Sequence, residues 1–148
     1  MIFEHTIAVD APSEAVAHFL ADIPKVAACV PGVEDVTALG GDEYEGRLRV
    51  RLGPVSFSLT GQAEVQSDAD GTLRARGGGR DRRIGAGVDA TIEARVEPLG
   101  PGDSEVRVTA DVQFSGRLAE LGQPLIRRKA DAMVRDFARN MRAAFSDS

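Results

Sequence analysis

The apolar residues of this chain follow three periods in turn. Phe3, His5, Ile7 and Val9 alternate with polar or small neighbours, the spacing of a strand with one buried face. Asp10-Ala11-Pro12-Ser13 then breaks the alternation, and Val16, Phe19 and Leu20 recur at helical spacing, so the pattern predicts a helix with Ser13 as its N-cap. Pro24 is expected to open a second short helix, Lys25 to Cys29, which Pro31-Gly32 stops.

Downstream the period returns to two. Tyr44, Leu48, Val50 and Leu52 oppose Glu45, Arg47, Arg49 and Arg51, and after Gly53-Pro54 the set Val55, Phe57, Leu59, Ala63 and Val65 repeats the alternation. Val88 to Val96 and Val106 to Phe114 do so again. One apolar and one polar face per strand, joined by Gly-Pro, Asp-Gly and Pro-Gly-Asp turns, predict antiparallel hairpins. The last segment reads as one long helix, with Ile126, Ala130, Met133, Val134, Phe137, Met141 and Ala144 on one side and Arg128, Asp131, Arg135, Arg139 and Arg142 on the other. The expected fold is α+β: a curved antiparallel sheet of six or seven strands wrapped on a long C-terminal helix, with two short helices after the first strand. It forms a single domain over 1–146.

One helix cannot cover so wide a sheet unless the sheet curls around it. The inward positions are unusually small, including Gly46, Gly61, Ala63, Ala75, Gly77, Ala86, Ala90, Ala94 and Ala110, and the chain has six Phe, one Tyr and no Trp. Small inward residues either let a helix approach closely or leave an apolar cavity of the kind that binds small molecules. Met133 and Met141 suit the second reading, because thioethers adapt to variable apolar contents.

Charge and cysteine content narrow the partners. A net charge of −5 argues against nucleic acid, whose binding draws on excess positive charge. The single cysteine cannot form an internal disulfide, and no signal peptide or span of about 20 apolar residues is present. A cytoplasmic location is the expectation.

Few residues offer chemistry. His5 and His18 lack metal or triad spacing, and His5 reads as a hydrogen-bonded structural residue. Cys29 has no evident activating base and reads as a small packing residue. No catalytic residue, metal site or cofactor is expected. Gly85-Ala86-Gly87-Val88-Asp89-Ala90 fits a relaxed dinucleotide pattern, but a strand pattern follows where a helix is required. The stretch from Arg74 to Arg83 holds five arginines and three glycines; it is either an anion-binding patch or outward strand charge running into a hairpin. Six basic and two acidic residues between Arg127 and Arg142 leave the last helix with either a solvated face or one suited to anionic lipid or an acidic partner.

Five segments stand out in order along the chain: Ala28-Cys29-Val30-Pro31-Gly32-Val33-Glu34, Tyr44-Glu45-Gly46-Arg47-Leu48-Arg49-Val50, Leu52-Gly53-Pro54-Val55, Gly61-Gln62-Ala63 and Ser115-Gly116-Arg117-Leu118-Ala119-Glu120-Leu121-Gly122. Together they resemble the CoxG family, the G-subunit family of carbon monoxide dehydrogenase, within the START/Bet v 1-like (SRPBCC) superfamily. The resemblance implies the helix-grip fold and a non-catalytic accessory protein of a molybdenum-containing dehydrogenase, serving that enzyme at the inner face of the membrane. It also suggests a lipophilic ligand, with an isoprenoid quinone the natural candidate. Many members carry a tail beyond the globular domain; this sequence stops at Ser148, just after the helix, which leaves autonomous anchoring unsupported. The expected ligand-binding residues are Val30, Pro31, Gly32, Leu48, Val50, Phe57, Leu59, Met133, Phe137 and Met141. A docking module with a filled core and a cyclase- or hydrolase-like enzyme are the competing readings.

Overall fold

A computed structural model describes residues 1–146. Strand β1 (Ile2–Val9) is followed by α1 (Ser13–Ala21) and α2 (Ile23–Cys29). Strands β2 (Val33–Gly40), β3 (Glu43–Leu52), β4 (Val55–Ser67), β5 (Leu73–Asp81), β6 (Ala86–Gly100) and β7 (Asp103–Gly116) follow in hairpin succession. A single 3-10 turn (Ala119–Leu121) leads into α3 (Gln123–Ser146). The seven strands form one antiparallel sheet in the order β1-β7-β6-β5-β4-β3-β2. The sequence periods thus predict the architecture correctly, including both short helices and the long last one.

The helix starts differ in detail. Ser13 is the first residue of α1 rather than its cap, and Pro12 occupies the cap position without a side-chain bond. Proline's fixed φ makes it a ready entrance to a helix. The side-chain cap belongs to α2, where Asp22 Oδ1 accepts from the Lys25 N–H at 3.3 Å and Pro24 sits in the first turn. On α3, Ala144 is exposed and Ala138 is buried.

Alternation places most of the apolar strand residues on the inner face, where they form two clusters, while Ile2, Leu39 and Leu99 stay exposed. One gathers Ile7, Val9, Val16, Leu20, Cys29, Val106 and Met141, so β1, α1, α2, β7 and the C-terminal half of α3 meet there. The other gathers Leu52, Phe57, Leu59, Ala86 and Leu118, with Leu48, Val50, Leu121 and Leu125 packed against it.

The two sheet edges are treated differently. At β1, two arginines of α3 reach over the edge: Arg127 Nη1 donates to the Ile2 carbonyl at 3.2 Å and Arg142 Nε to the Ala8 carbonyl at 2.9 Å. The Arg127 guanidinium also lies 5.3 Å from the centre of the Phe3 ring, within cation–π range. At β2, the pairing with β3 is interrupted between Glu34 and Thr37 and again between Ala38 and Gly40. Asp35 there adopts φ +56, left-handed backbone that Asp tolerates better than most residues. Such bulges twist an edge away from further strand pairing and re-aim its side chains.

Candidate functional site

Between the two clusters the inner face is hollow. A cavity of ≈ 390 Å³ lies there, floored by β3–β6, bounded at the sheet edge by Val33 and Val36 of β2, and covered by Ile23, Ala27 and Val30 at α2. The sheet register explains the space. Gly46, Gly61, Gly79 and Val88 lie side by side across four strands, and Tyr44, Ala63, Gly77 and Ala90 form the adjacent row. Val65, Ala75 and Ile92 make a third. Three glycines abreast remove the side chains that would otherwise fill the middle of the grip. Val36 and Ile92 both line the cavity and remain 39% and 38% exposed, so its apolar wall is open to solvent.

Two glycines answer a second constraint. A Cβ at Gly61 would fall onto the Gly78 carbonyl, because β4 and β5 approach each other too closely there for any side chain. Gly32, at φ +85, lies directly under the Arg49 carbonyl, and its own carbonyl accepts the Arg49 N–H at 2.8 Å, which ties the segment after α2 to β3. These positions keep the roof close to the floor at one end while the floor itself stays bare.

Tyr44 is the one inward-facing polar side chain among the described lining residues. Glu45, Arg47, Gln62 and Arg76 alternate with the inward set and carry their side chains on the outer face, where Arg76 pairs with Glu64 and Arg47 with Glu34 and Asp35. The arrangement can hold an apolar body with one polar end, and it brings together no pair of acid–base groups.

Of the residues expected from sequence to bind ligand, Val30, Leu48 and Leu59 line the cavity. Phe57 and Val50 are built into the cluster with Leu52 and Leu118. Met141 and Phe137 belong to the opposite cluster, where Met141 is fully buried. Met133, Pro31 and Gly32 are not among the lining residues either. The difference has one cause: the roof is α2, not α3, and no described residue of α3 lines the cavity. Of the small inward residues noted in the strands, Gly46, Gly61, Ala63, Ala75, Gly77 and Ala90 form the floor, whereas Ala94 and Ala86 sit in the two clusters and Ala110 does not line the cavity. Ile23, Ala27, Val33 and Val36 lie outside the expected set, since a seven-residue helix and a bulged strand are too short to show a period.

The remaining candidates resolve without chemistry. His5 faces inward, half-buried, with Nε2 3.6 Å from Asp131 Oδ1. Cys29 is a buried free thiol whose pKa is raised by desolvation, the opposite of what a nucleophile needs; its carbonyl accepts from Asn140 Nδ2 at 3.0 Å. The glycine pattern at 85–90 runs into β6, so no helix N-terminus faces it. Within the arginine-rich stretch, Arg74 pairs with Asp68 and Glu93, and Arg80 with Asp89. Arg83 pairs with Asp81, which also accepts the Ser58 N–H at 2.8 Å. The Arg83 side chain, and after it the Ser58 backbone, hold the Asp81 carboxyl below the usual carboxylate range. That carboxylate takes over where the β4–β5 ladder stops at Thr60 and Arg80. Among the described residues no helix is long and apolar enough to cross a membrane.

The fold recurs in solved structures. A conserved protein from Geobacillus kaustophilus superposes with a TM-score of 0.86 at 19% identity, covering 100% of this chain and 97% of that one. A START superfamily protein from Mycobacterium smegmatis gives 0.74 at 15%, covering 99% and 97%. An aromatase/cyclase from a Streptomyces species gives 0.61 at 21%, covering 97% and 90%. No curated protein matches the chain. The model of the CoxG family, the G-subunit family of carbon monoxide dehydrogenase, matches residues 6–146, nearly the whole of the grip just described, and the chain therefore belongs to that family.

Proposed function

We propose that this chain is a non-catalytic accessory protein of a molybdenum-containing hydroxylase such as aerobic carbon monoxide dehydrogenase. In this reading it holds a lipophilic molecule, an isoprenoid quinone, in the cavity beneath α2 and couples the enzyme to the membrane. The observation that carries the reading is the hollow itself: a row of Gly46, Gly61 and Gly79 beside Ala63, Gly77 and Ala90, leaving ≈ 390 Å³ lined by apolar groups. Exposed apolar wall is unfavourable, and a ligand covering it recovers about 25 cal/mol per Å². Since an apolar cavity of about 150 Å³ accepts one benzene, this one suits a fused bicyclic ring with a short length of chain, and a longer tail extends outside. Tyr44 supplies a hydroxyl for a carbonyl oxygen at the polar end. The basic residues exposed on α3, Arg128 and Arg135 among them, suit peripheral contact with anionic lipid.

Native mass spectrometry of protein purified without detergent tests the proposal, followed by titration with quinones of increasing tail length. Bound lipid in the purified protein is the expected result. Ala90→Phe, which fills the hollow, weakens quinone binding at least about tenfold, the value of one buried aromatic-sized space. Protein that stays lipid-free after exposure to a whole-cell lipid extract would sink the carrier reading and leave a docking module. Turnover of a substrate of the aromatase/cyclase kind would instead favour a cyclase.

A further inference from the structure

The outer face of the sheet carries a second concavity, unrelated to the apolar one. It has a volume of ≈ 470 Å³ and is lined by Arg47 of β3, Ser58 and Thr60 of β4, and Arg80, Asp81, Arg82 and Arg83 at the end of β5. The part of the arginine-rich stretch that reaches this groove is therefore joined by an arginine from a strand two positions away in the sheet. Thr60 lies opposite both Arg47 and Arg80 in the register, so the hydroxyl stripe of β4 runs between two basic strands.

The groove has more donors than acceptors. Both oxygens of its one carboxylate, Asp81, are taken: Oδ1 by the Arg83 N–H and Nε, Oδ2 by the Ser58 N–H and Arg83 Nη2. Against this, Arg47 Nε is buried with no hydrogen-bond partner, the single buried side-chain N or O atom so placed among the described residues. Arg82 has no ion-pair partner among them either, while the other three guanidinia are fixed. Arg47 Nη2 is bound to Glu34 and Asp35, Arg83 is bound to Asp81, and Arg80 is bound to the Gly79 and Val88 carbonyls and Asp89. Guanidinia already held in place lose little freedom on binding.

We infer that this groove is a binding site for a phosphate-type oxyanion, with the Arg82 guanidinium donating to its oxygens, the fixed guanidinia of Arg47 and Arg80 beside it, and Ser58 and Thr60 flanking it. The carboxylates Glu34, Asp35 and Asp89, which pair with the groove's arginines from outside it, offset much of the positive charge. The site therefore discriminates by donor geometry more than by field, and it binds modestly. A lipid headgroup and a free phosphorylated molecule present the same chemistry. The inference is independent of the apolar cavity and of any ligand in it.

The test is a ¹⁵N-resolved titration of the full chain with inorganic phosphate, with chloride at matched ionic strength as the control. Saturable shifts confined to the amides of 58–60 and 80–83 are expected. Arg82→Ala weakens the response about tenfold, as for one lost charge-assisted hydrogen bond. Arg47→Lys, which keeps the charge but removes the planar donor, weakens it as well. Arg82 is exposed, so its variant keeps the fold, which unchanged shifts elsewhere would verify. Co-sedimentation with phosphatidylglycerol vesicles against pure phosphatidylcholine then assigns the source. Loss of vesicle binding in Arg82→Ala, but not in Arg135→Ala on α3, identifies a headgroup; phosphate binding without a vesicle effect of Arg82→Ala identifies a free phosphorylated ligand. No saturable phosphate shift, or shifts unchanged in both groove variants, would overturn the inference.

Discussion

The inner face is built from one repeating strand pattern, yet one end of it is packed solid and its centre is empty. At the packed end, Leu52, Phe57 and Leu59 extend from β3 and β4 onto Leu118 and Leu125. Two residues further along β4 the same inward positions are Gly61 and Ala63, and across from them Gly79 and Gly77. Side-chain volume differs, and at Gly61 the two strands also approach too closely for any side chain. The lesson is that the long helix does not define the cavity. It belongs to the filled regions, while a seven-residue helix, α2, spans the empty one.

Truncating the filled regions produces the largest effects. Phe57→Ala removes a side chain that is 2% exposed and lowers stability by about 3–5 kcal/mol, the range for a buried aromatic, read as a shift in the urea midpoint at constant slope. Met141→Ala in the other cluster costs about 2–5 kcal/mol by the same measurement. If either loss fell below about 1 kcal/mol, the distinction between filled ends and hollow centre would collapse.

An electrostatic break comes next. Asp81→Asn keeps the shape but removes the charge that binds Arg83 and receives the Ser58 N–H, so it lowers the thermal midpoint at pH 7. Because the folded-state pKa of Asp81 is depressed, its stabilisation is fully present above the unfolded value of about 3.9 and is lost as pH falls through the folded one. The gap between wild type and variant therefore closes in acid. A gap that stayed constant down to about pH 2, below the ordinary carboxylate range, would show that the carboxylate acts by shape alone.

The smallest stability effect belongs to the hollow. Ala63→Leu adds volume where space exists, so it changes stability by less than about 1 kcal/mol, whereas overpacking a filled core costs about 1–3 kcal/mol. A large destabilisation in denaturant melts would mean that the centre is already filled in solution.

Much of this contrast is legible in the sequence. The alternating runs 44–52, 55–65, 88–96 and 106–114 announce the strands, and the glycines and alanines on their inward side announce an under-filled floor. What escapes is the identity of the roof. The Met133–Phe137–Met141 stripe belongs to the longest amphipathic run in the chain, so it draws the expected ligand to α3; Phe137 and Met141 in fact meet α1, α2 and β1. Ile23, Ala27 and Val30 span barely two turns, and Val36 is turned toward the cavity beside a bulge at Asp35, a local distortion no period can register. The outer groove is half visible: 80–83 stands out as basic, but only sheet register could bring Arg47 to it.

The arginine latch on β1 bears on how the chain is made. β1 precedes the other strands in synthesis, and its neighbour in the sheet, β7, is the last of them to be made. Its outer edge is sealed only when Arg127 and Arg142 of the final helix reach the Ile2 and Ala8 carbonyls. Until then the nascent chain holds an apolar strand with both edges bare, a state prone to wrong pairing. The contact that closes the sheet joins the most distant parts of the fold, which slows folding. Premature termination within the last helix would accordingly leave aggregated protein rather than a folded but weakened domain.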